Sequence, residues 1–108
     1  MQNSITLNQP FTLEFSLTLS EAIVFDHLVS RIRRVRHDAV FRELNFWEVN
    51  REDACRYLPV VTDKPDTMYR LFRALQRKEL CQIESIKGHD YIHIDAGLIA
   101  KWRSLLGK

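Results

Sequence analysis

Apolar residues alternate with polar ones at the start of the chain. Ile5, Leu7, Phe11, Leu13, Phe15, Leu17 and Leu19 all fall on odd positions, the period of a strand with one buried face. Pro10 has no ladder donor and predicts a break within this extended arm, residues 1–19. The period then changes. Ser20 is a suitable N-cap, and Ala22, Ile23, Phe25, Leu28, Val29, Ile32 and Val35 recur at helical spacing, predicting a helix over 21–36. His37-Asp38 begins a connection that buries Phe41 and Leu44. The run 45–49, Asn-Phe-Trp-Glu-Val, reads as a short strand. Asn50 caps a second helix over 51–57, with Asp53 as its capping-box partner and Ala54, Cys55 and Leu58 turned inward; Pro59 ends it.

Val60-Val61-Thr62 is a turn. Thr62 or Asp63 caps a third helix over 64–78, with Pro65 in its first turn, Met68, Leu71, Phe72 and Leu75 as its apolar stripe, and Leu80 sealing its end. Strands over 81–86 and 91–94 form a hairpin around Lys87-Gly88-His89-Asp90. Asp95 caps a last helix over 96–106 that buries Leu98, Ile99, Trp102 and Leu105 or Leu106.

Helix, short strand, helix, turn, helix and two-stranded hairpin is the order of a winged helix-turn-helix. The fold class is α+β: a three-helix core, a small antiparallel sheet with a wing hairpin, an N-terminal arm over 1–19 and a C-terminal helix over 96–108, flanking a winged-helix domain over 20–95. The strand at 46–49 supplies the third strand of the sheet, and the third helix is the recognition helix.

Asn45-Phe46-Trp47-Glu48-Val49, Arg51-Glu52-Asp53-Ala54-Cys55, Tyr57-Leu58-Pro59 and Lys64-Pro65-Asp66-Thr67-Met68-Tyr69-Arg70 resemble the winged-helix domains of phage, plasmid and mobile-element replication proteins. The resemblance spans about residues 20–95 and implies DNA binding, often at a replication origin. Glu79 departs from it, standing where such helices usually carry Gly. A left-handed C-cap costs a non-Gly residue about 1 kcal/mol more, so a different helix ending and a different entry to the wing are expected.

Charge sharpens this picture. Lys and Arg number 16 against 14 Asp and Glu, a net charge of +2, but the bases are banked in three places. Residues 31–42 carry Arg31, Arg33, Arg34, Arg36 and Arg42 against Asp38. Residues 64–80 carry Lys64, Arg70, Arg73, Arg77 and Lys78 against Asp66 and Glu79. The C-terminal stretch carries Lys101, Arg103 and Lys108. Asp66, Arg70, Arg73 and Arg77 are spaced 4, 3 and 4 and share one stripe of the third helix. Thr67, Arg70 and Arg73 are assigned to base or near-base contact, with Tyr69 flanking them; Lys64 and Arg77 are assigned to phosphate. The competing reading is a solvated face with Asp66 and Arg70 as an ordinary i,i+4 pair. Lys87 and His89 are the wing-tip candidates, opposed by Glu84 and Asp90. Arg33, Arg34 and Arg36 exceed what helix C-capping needs and suit a second phosphate contact or an acidic partner.

Several classes of chemistry lack a signature. There is no P-loop, no dinucleotide-binding or nucleophile-elbow glycine pattern, and no C-x-x-C. His89 and His93 are four apart in a hairpin, where they need not converge on a metal. No enzyme activity, cofactor or metal is expected. Without an apolar run of membrane-spanning length or a signal-peptide pattern, and with only Cys55 and Cys81, the chain reads as a soluble cytoplasmic domain. The expected function is sequence-specific binding of double-stranded DNA in replication initiation, with a transcriptional regulator or a protein-interaction module as alternatives. A homodimer through the N-terminal arm or the last helix is expected, although both could instead complete the core.

Overall fold

The computed structural model describes residues 7–34, 39–41 and 46–104, and for residues 33, 34 and 39–41 it describes the backbone alone. The elements are α1 (Gln9–Glu14), α2 (Leu19–Arg34), β1 (Ala39–Phe41), β2 (Phe46–Val49), α3 (Arg51–Tyr57), α4 (Pro65–Arg77), β3 (Gln82–Ile86), β4 (His89–His93) and α5 (Ala96–Ser104). The strands form one antiparallel sheet in the order β1-β2-β4-β3. The fold is α+β, with the helices packed around a small sheet. β2, β3 and β4 are strands the sequence predicts. β1 falls where a connection was expected; the side chain of Phe41 is not described, and Leu44 and Asn45 lie outside the described residues.

The N-terminal segment corrects the sequence reading. Residues 9–14 are helical, not extended. Asn8 is the cause: its Oδ1 accepts from Phe11 N at 3.0 Å, and Pro10 sits in the first turn, where a missing donor costs nothing. Phe11 and Phe15, four apart, share a helix face with ring centroids 4.5 Å apart. Leu13, which the alternation would bury with them, is 79% exposed. The helix closes on Ser16 at φ 54°, with Leu17 N bonded to Thr12 O and Ser16 N to Leu13 O. This is a Schellman cap built on a serine. Residues 1–6 of the expected arm, Ile5 included, lie outside the described residues.

α2 also begins earlier than expected. Thr18, not Ser20, caps it: Thr18 Oγ1 accepts from Glu21 N at 3.1 Å, and Glu21 Oε1 accepts from Thr18 N at 2.8 Å, a reciprocal capping box. Val35 and Arg36 of the expected helix lie outside the described residues.

Asn50 caps α3 as expected, accepting from Glu52 N and Asp53 N; Asp53 pairs with Arg56 at 2.9 Å. The N-cap of α4 is Lys64, neither Thr62 nor Asp63. Lys64 holds the extended backbone before Pro65 without a side-chain bond, and Thr62 Oγ1 accepts from Lys64 N at 3.1 Å, stabilising the turn instead. At the other end, Glu79 does adopt the left-handed conformation, φ 62°. Leu80 N bonds Leu75 O and Glu79 N bonds Gln76 O, while Leu75 and Leu80 are both fully buried. The ending is the one a glycine would give, so the departure at Glu79 does not redirect the chain.

The β3–β4 turn is tighter than the four residues expected. Lys87 (φ 52°) and Gly88 (φ 81°) form it alone, the two-residue loop whose twist suits a hairpin. His89 pairs with Ile86 and Asp90 with Ser85, so both belong to β4. Asp95 Oδ2 accepts from Gly97 N at the start of α5; Leu105 and Leu106 lie outside the described residues.

One core unites these elements. Phe11 of α1, Phe25 of α2 and Trp102 of α5 meet with centroids 5.1–5.3 Å apart. Met68, Phe72 and Leu75 of α4 are fully buried beside Leu28, Leu80 and Ile92. Asn8 ties the ends of the chain together: its Nδ2 donates to Trp102 O at 2.8 Å and to Lys101 O at 3.2 Å. Trp102 Nε1 donates to Asp26 Oδ1 at 3.0 Å; burial pushes the Asp26 carboxyl up, against that bond and the charge of Arg103. Among the described residues, no helix is long and apolar enough to cross a membrane.

Candidate functional site

α4 has two opposed faces because its sequence has two stripes. At 3.6 residues per turn, Asp66, Arg70, Arg73 and Arg77 fall within an arc of about 60°, and Met68, Phe72 and Leu75 lie roughly diametrically opposite. The apolar stripe is buried against α2 and α3, which leaves the arginine stripe in solvent. Among the described residues Arg70, Arg73 and Arg77 form no ion pair; in particular, Asp66 and Arg70 do not form the i,i+4 pair of the competing reading. Lys64 is exposed at the helix start, and Thr67 is half-buried beside the stripe. Lys78, by contrast, turns away: its Nζ bonds Glu21 Oε1 at 2.6 Å and Ser16 O at 2.7 Å, tying the end of α4 to the α1–α2 corner.

The hairpin is fixed to α4 by a network that the sequence did not reveal. Asp90, buried in β4, accepts from Arg51 Nε at 2.8 Å and Arg51 Nη2 at 2.7 Å. Ser85 Oγ donates to the same carboxylate at 2.7 Å and lies 3.2 Å from the Tyr69 hydroxyl. The Arg51 guanidinium stacks over the Tyr69 ring, 3.9 Å from its centroid. The hydrogen bond to Asp90 holds Arg51 above the ordinary arginine range, against partial burial. Tyr69, expected to flank a DNA contact, is thus part of the joint between helix and hairpin. Gln76 adds to this joint, its Oε1 accepting from Ile83 N at 2.7 Å on the sheet edge. Asp90 read as a turn residue because Asp is common in turns, and no spacing in the sequence links positions 51 and 90.

Lys87 and His89 are exposed at the hairpin tip, with His89 Nδ1 2.8 Å from Glu48 Oε2 of β2. Between this tip and the first turn of α4 lies a groove of about 340 Å³, lined by Glu48, Asn50, Arg51, Asp66 and His89 among others. Arg33 and Arg34 end α2, but their side chains are not described; Arg36 and His37 lie outside the described residues. Cys55 and Cys81 are free and buried. Burial pushes the Cys81 thiol up to about 12, which leaves no thiolate for nucleophilic work at neutral pH. Among the described residues, no three His, Cys, Asp or Glu side chains converge as a metal site would need. No family model, no curated protein and no solved structure matches this chain.

Proposed function

We propose that the chain is a winged helix-turn-helix protein that binds double-stranded DNA sequence-specifically, with α3 and α4 as the helix-turn-helix, α4 as the recognition helix and the β3–β4 hairpin as the wing. One observation carries the reading: among the described residues, three exposed arginines without ion-pair partners form a single stripe on α4, directly behind its buried face. Arginines held on a rigid helix and left without carboxylates are matched to base-edge acceptors and phosphates. In this reading Thr67, Arg70 and Arg73 meet base edges, and Lys64, Arg77 and Lys87 meet phosphates. His89 has a smaller part, being engaged with Glu48. Arg33 and Arg34 offer a second phosphate contact.

The role in replication initiation of a phage or mobile element rests on the resemblance carried by residues 45–70. Iterated binding sites at an origin favour it; a single inverted repeat in the chain's own promoter favours a transcriptional regulator. The protein acts by binding, without catalysis of its own. A homodimer would set two copies of α4 on successive major grooves, and Leu13 and Leu19, 79% and 67% exposed, are apolar side chains available to a second copy.

The test is selection of bound fragments from random duplex DNA at moderate salt, with Arg70→Ala plus Arg73→Ala as control. A motif recovered by the wild type and absent from the double variant supports the reading, and its half-site spacing reports the dimer. No enrichment by either protein overturns it and leaves the interaction-module alternative.

A further inference from the structure

The groove between the hairpin tip and the first turn of α4 holds a side chain in an unusual state. Arg51 is gripped along one edge and on one face. Its Nε and Nη2 are committed to Asp90, and its face lies on Tyr69. Yet 27% of the side chain remains exposed, and it lines the groove. A fork-shaped guanidinium bonded along one edge keeps N–H donors on the other, here Nη1 and the outer N–H of Nη2. Those donors are already oriented, so a ligand meets them at little further cost in side-chain entropy.

The surroundings indicate which acceptor they suit. Asp90 already balances the Arg51 charge, and Glu48, Glu52 and Asp66 line the same groove. A phosphate entering there meets three carboxylates besides Asp90 and, among the described residues of the groove, no lysine or arginine but Arg51. A neutral acceptor meets no such repulsion. Asp66 belongs to the first turn of α4, the part of a recognition helix that reaches deepest toward base edges. It is near enough to Arg51 to add to the field that keeps it charged.

We propose that Arg51 and Asp66 together read one G·C base pair, Arg51 donating to guanine O6 and N7 and Asp66 accepting from the cytosine N4 amino group. In the major groove guanine presents two acceptors and cytosine a donor, and arginine and a carboxylate are their complements. The assignment rests on the duplex-DNA reading above. It places a base contact outside the arginine stripe, on a residue that precedes the recognition helix, and gives the acidic residue of that stripe a positive task.

The experiment selects sites from random duplex DNA with the wild type, Asp66→Ala and the Arg70→Ala plus Arg73→Ala control. The wild-type site is then resynthesised with 7-deazaguanine, which lacks the N7 acceptor, at each guanine in turn. Asp66 is exposed, so its substitution spares the core, and the altered base tests Arg51 without touching the buried Asp90 pair. The expected result is a fixed G·C position whose preference over the other base pairs weakens about tenfold in Asp66→Ala, and at which 7-deazaguanine weakens wild-type binding about tenfold. A motif that depends on Arg70 and Arg73 but has no position sensitive to both changes overturns the pair and leaves DNA reading intact. Failure of the wild type to enrich any site overturns both.

Discussion

Glu79 holds a left-handed backbone at φ 62° with no gain from its side chain that would require glutamate there. Replacing it with glycine removes the Cβ penalty of that conformation, about 1 kcal/mol. Glu79→Gly is therefore expected to raise the urea midpoint with an unchanged slope; an unchanged or lower midpoint would show that the Schellman ending is not strained by the side chain. Asp90 works in the opposite direction. Its carboxylate is 2% exposed and receives two bonds from Arg51 and one from Ser85. Asp90→Ala strands a guanidinium that is itself mostly buried, and bonds to charged groups contribute about 1.5–3 kcal/mol each. A loss of about 3 kcal/mol is expected, against about 1 kcal/mol for Ser85→Ala, which removes a neutral donor and leaves the ion pair in place. Equal losses in urea titrations of the two variants would show that the arginine fork is not what holds the hairpin.

Caps, more than stripes, decide where the helices of this chain lie, and that governs what its sequence made legible. α3, α4, the β3–β4 hairpin and the buried set Met68, Phe72 and Leu75 were readable because period and breaker agreed there, although the cap of α4 proved to be Lys64 and the hairpin turn only Lys87 and Gly88. α1 was not. Its six residues are too few to show a helical period, and the odd-numbered apolar positions imitated a strand. The deciding bonds are those of Asn8 with Phe11 N and with the carbonyls of Trp102 and Lys101, more than ninety positions away. The arginine stripe was legible for the same reason as the apolar one, being its complement on α4. The Arg51–Asp90 joint was not, because it depends on the register of β4. Asn8→Ala removes a cap and two bonds to the end of α5, a loss of about 2 kcal/mol. It should loosen Trp102, readable as a fall in near-ultraviolet dichroism that precedes the far-ultraviolet one on warming; coincident transitions would show that Asn8 does not dock α5. The α2 cap has a pH signature. Burial pushes the Glu21 carboxyl up, but Lys78 and the Thr18 N–H outweigh it and hold the group below its ordinary range. A lowered carboxyl contributes stability above its unfolded value and loses it as pH falls through its folded value. Glu21→Gln is expected to be less stable than the wild type by about 1 kcal/mol at pH 7, with the gap closing as the wild-type carboxyl protonates. A gap that stays constant down through the carboxylate range would show that the Lys78 pair contributes nothing.

A net charge of only +2 on 108 residues gives the whole molecule little general attraction to a polyanion. Any affinity for DNA must then come from where the charges are placed rather than from their sum. The core consumes the apolar stripe of α4, the joint consumes Tyr69 and one edge of Arg51, and the α1–α2 corner consumes Lys78. Lys64, Arg70, Arg73, Arg77 and Lys87 are left outside those networks and close to one helix and one hairpin tip. Under the proposed duplex-DNA reading, this division makes salt dependence a measure of the interface. Each phosphate neutralised releases counterions and adds about 0.9 to the slope of log affinity against log salt. Lys64→Ala, Arg77→Ala and Lys87→Ala should each lower the magnitude of the slope by about 0.9 while leaving the selected motif unchanged. Arg70→Ala and Arg73→Ala should instead degrade the motif, because a side chain that no longer reaches a base edge no longer discriminates among sequences. Titrations of one selected duplex at several salt concentrations separate the two groups. If all five variants changed the slope equally and none changed the motif, α4 would lie along the backbone rather than in the groove, and its stripe would be an electrostatic rail rather than a reading head.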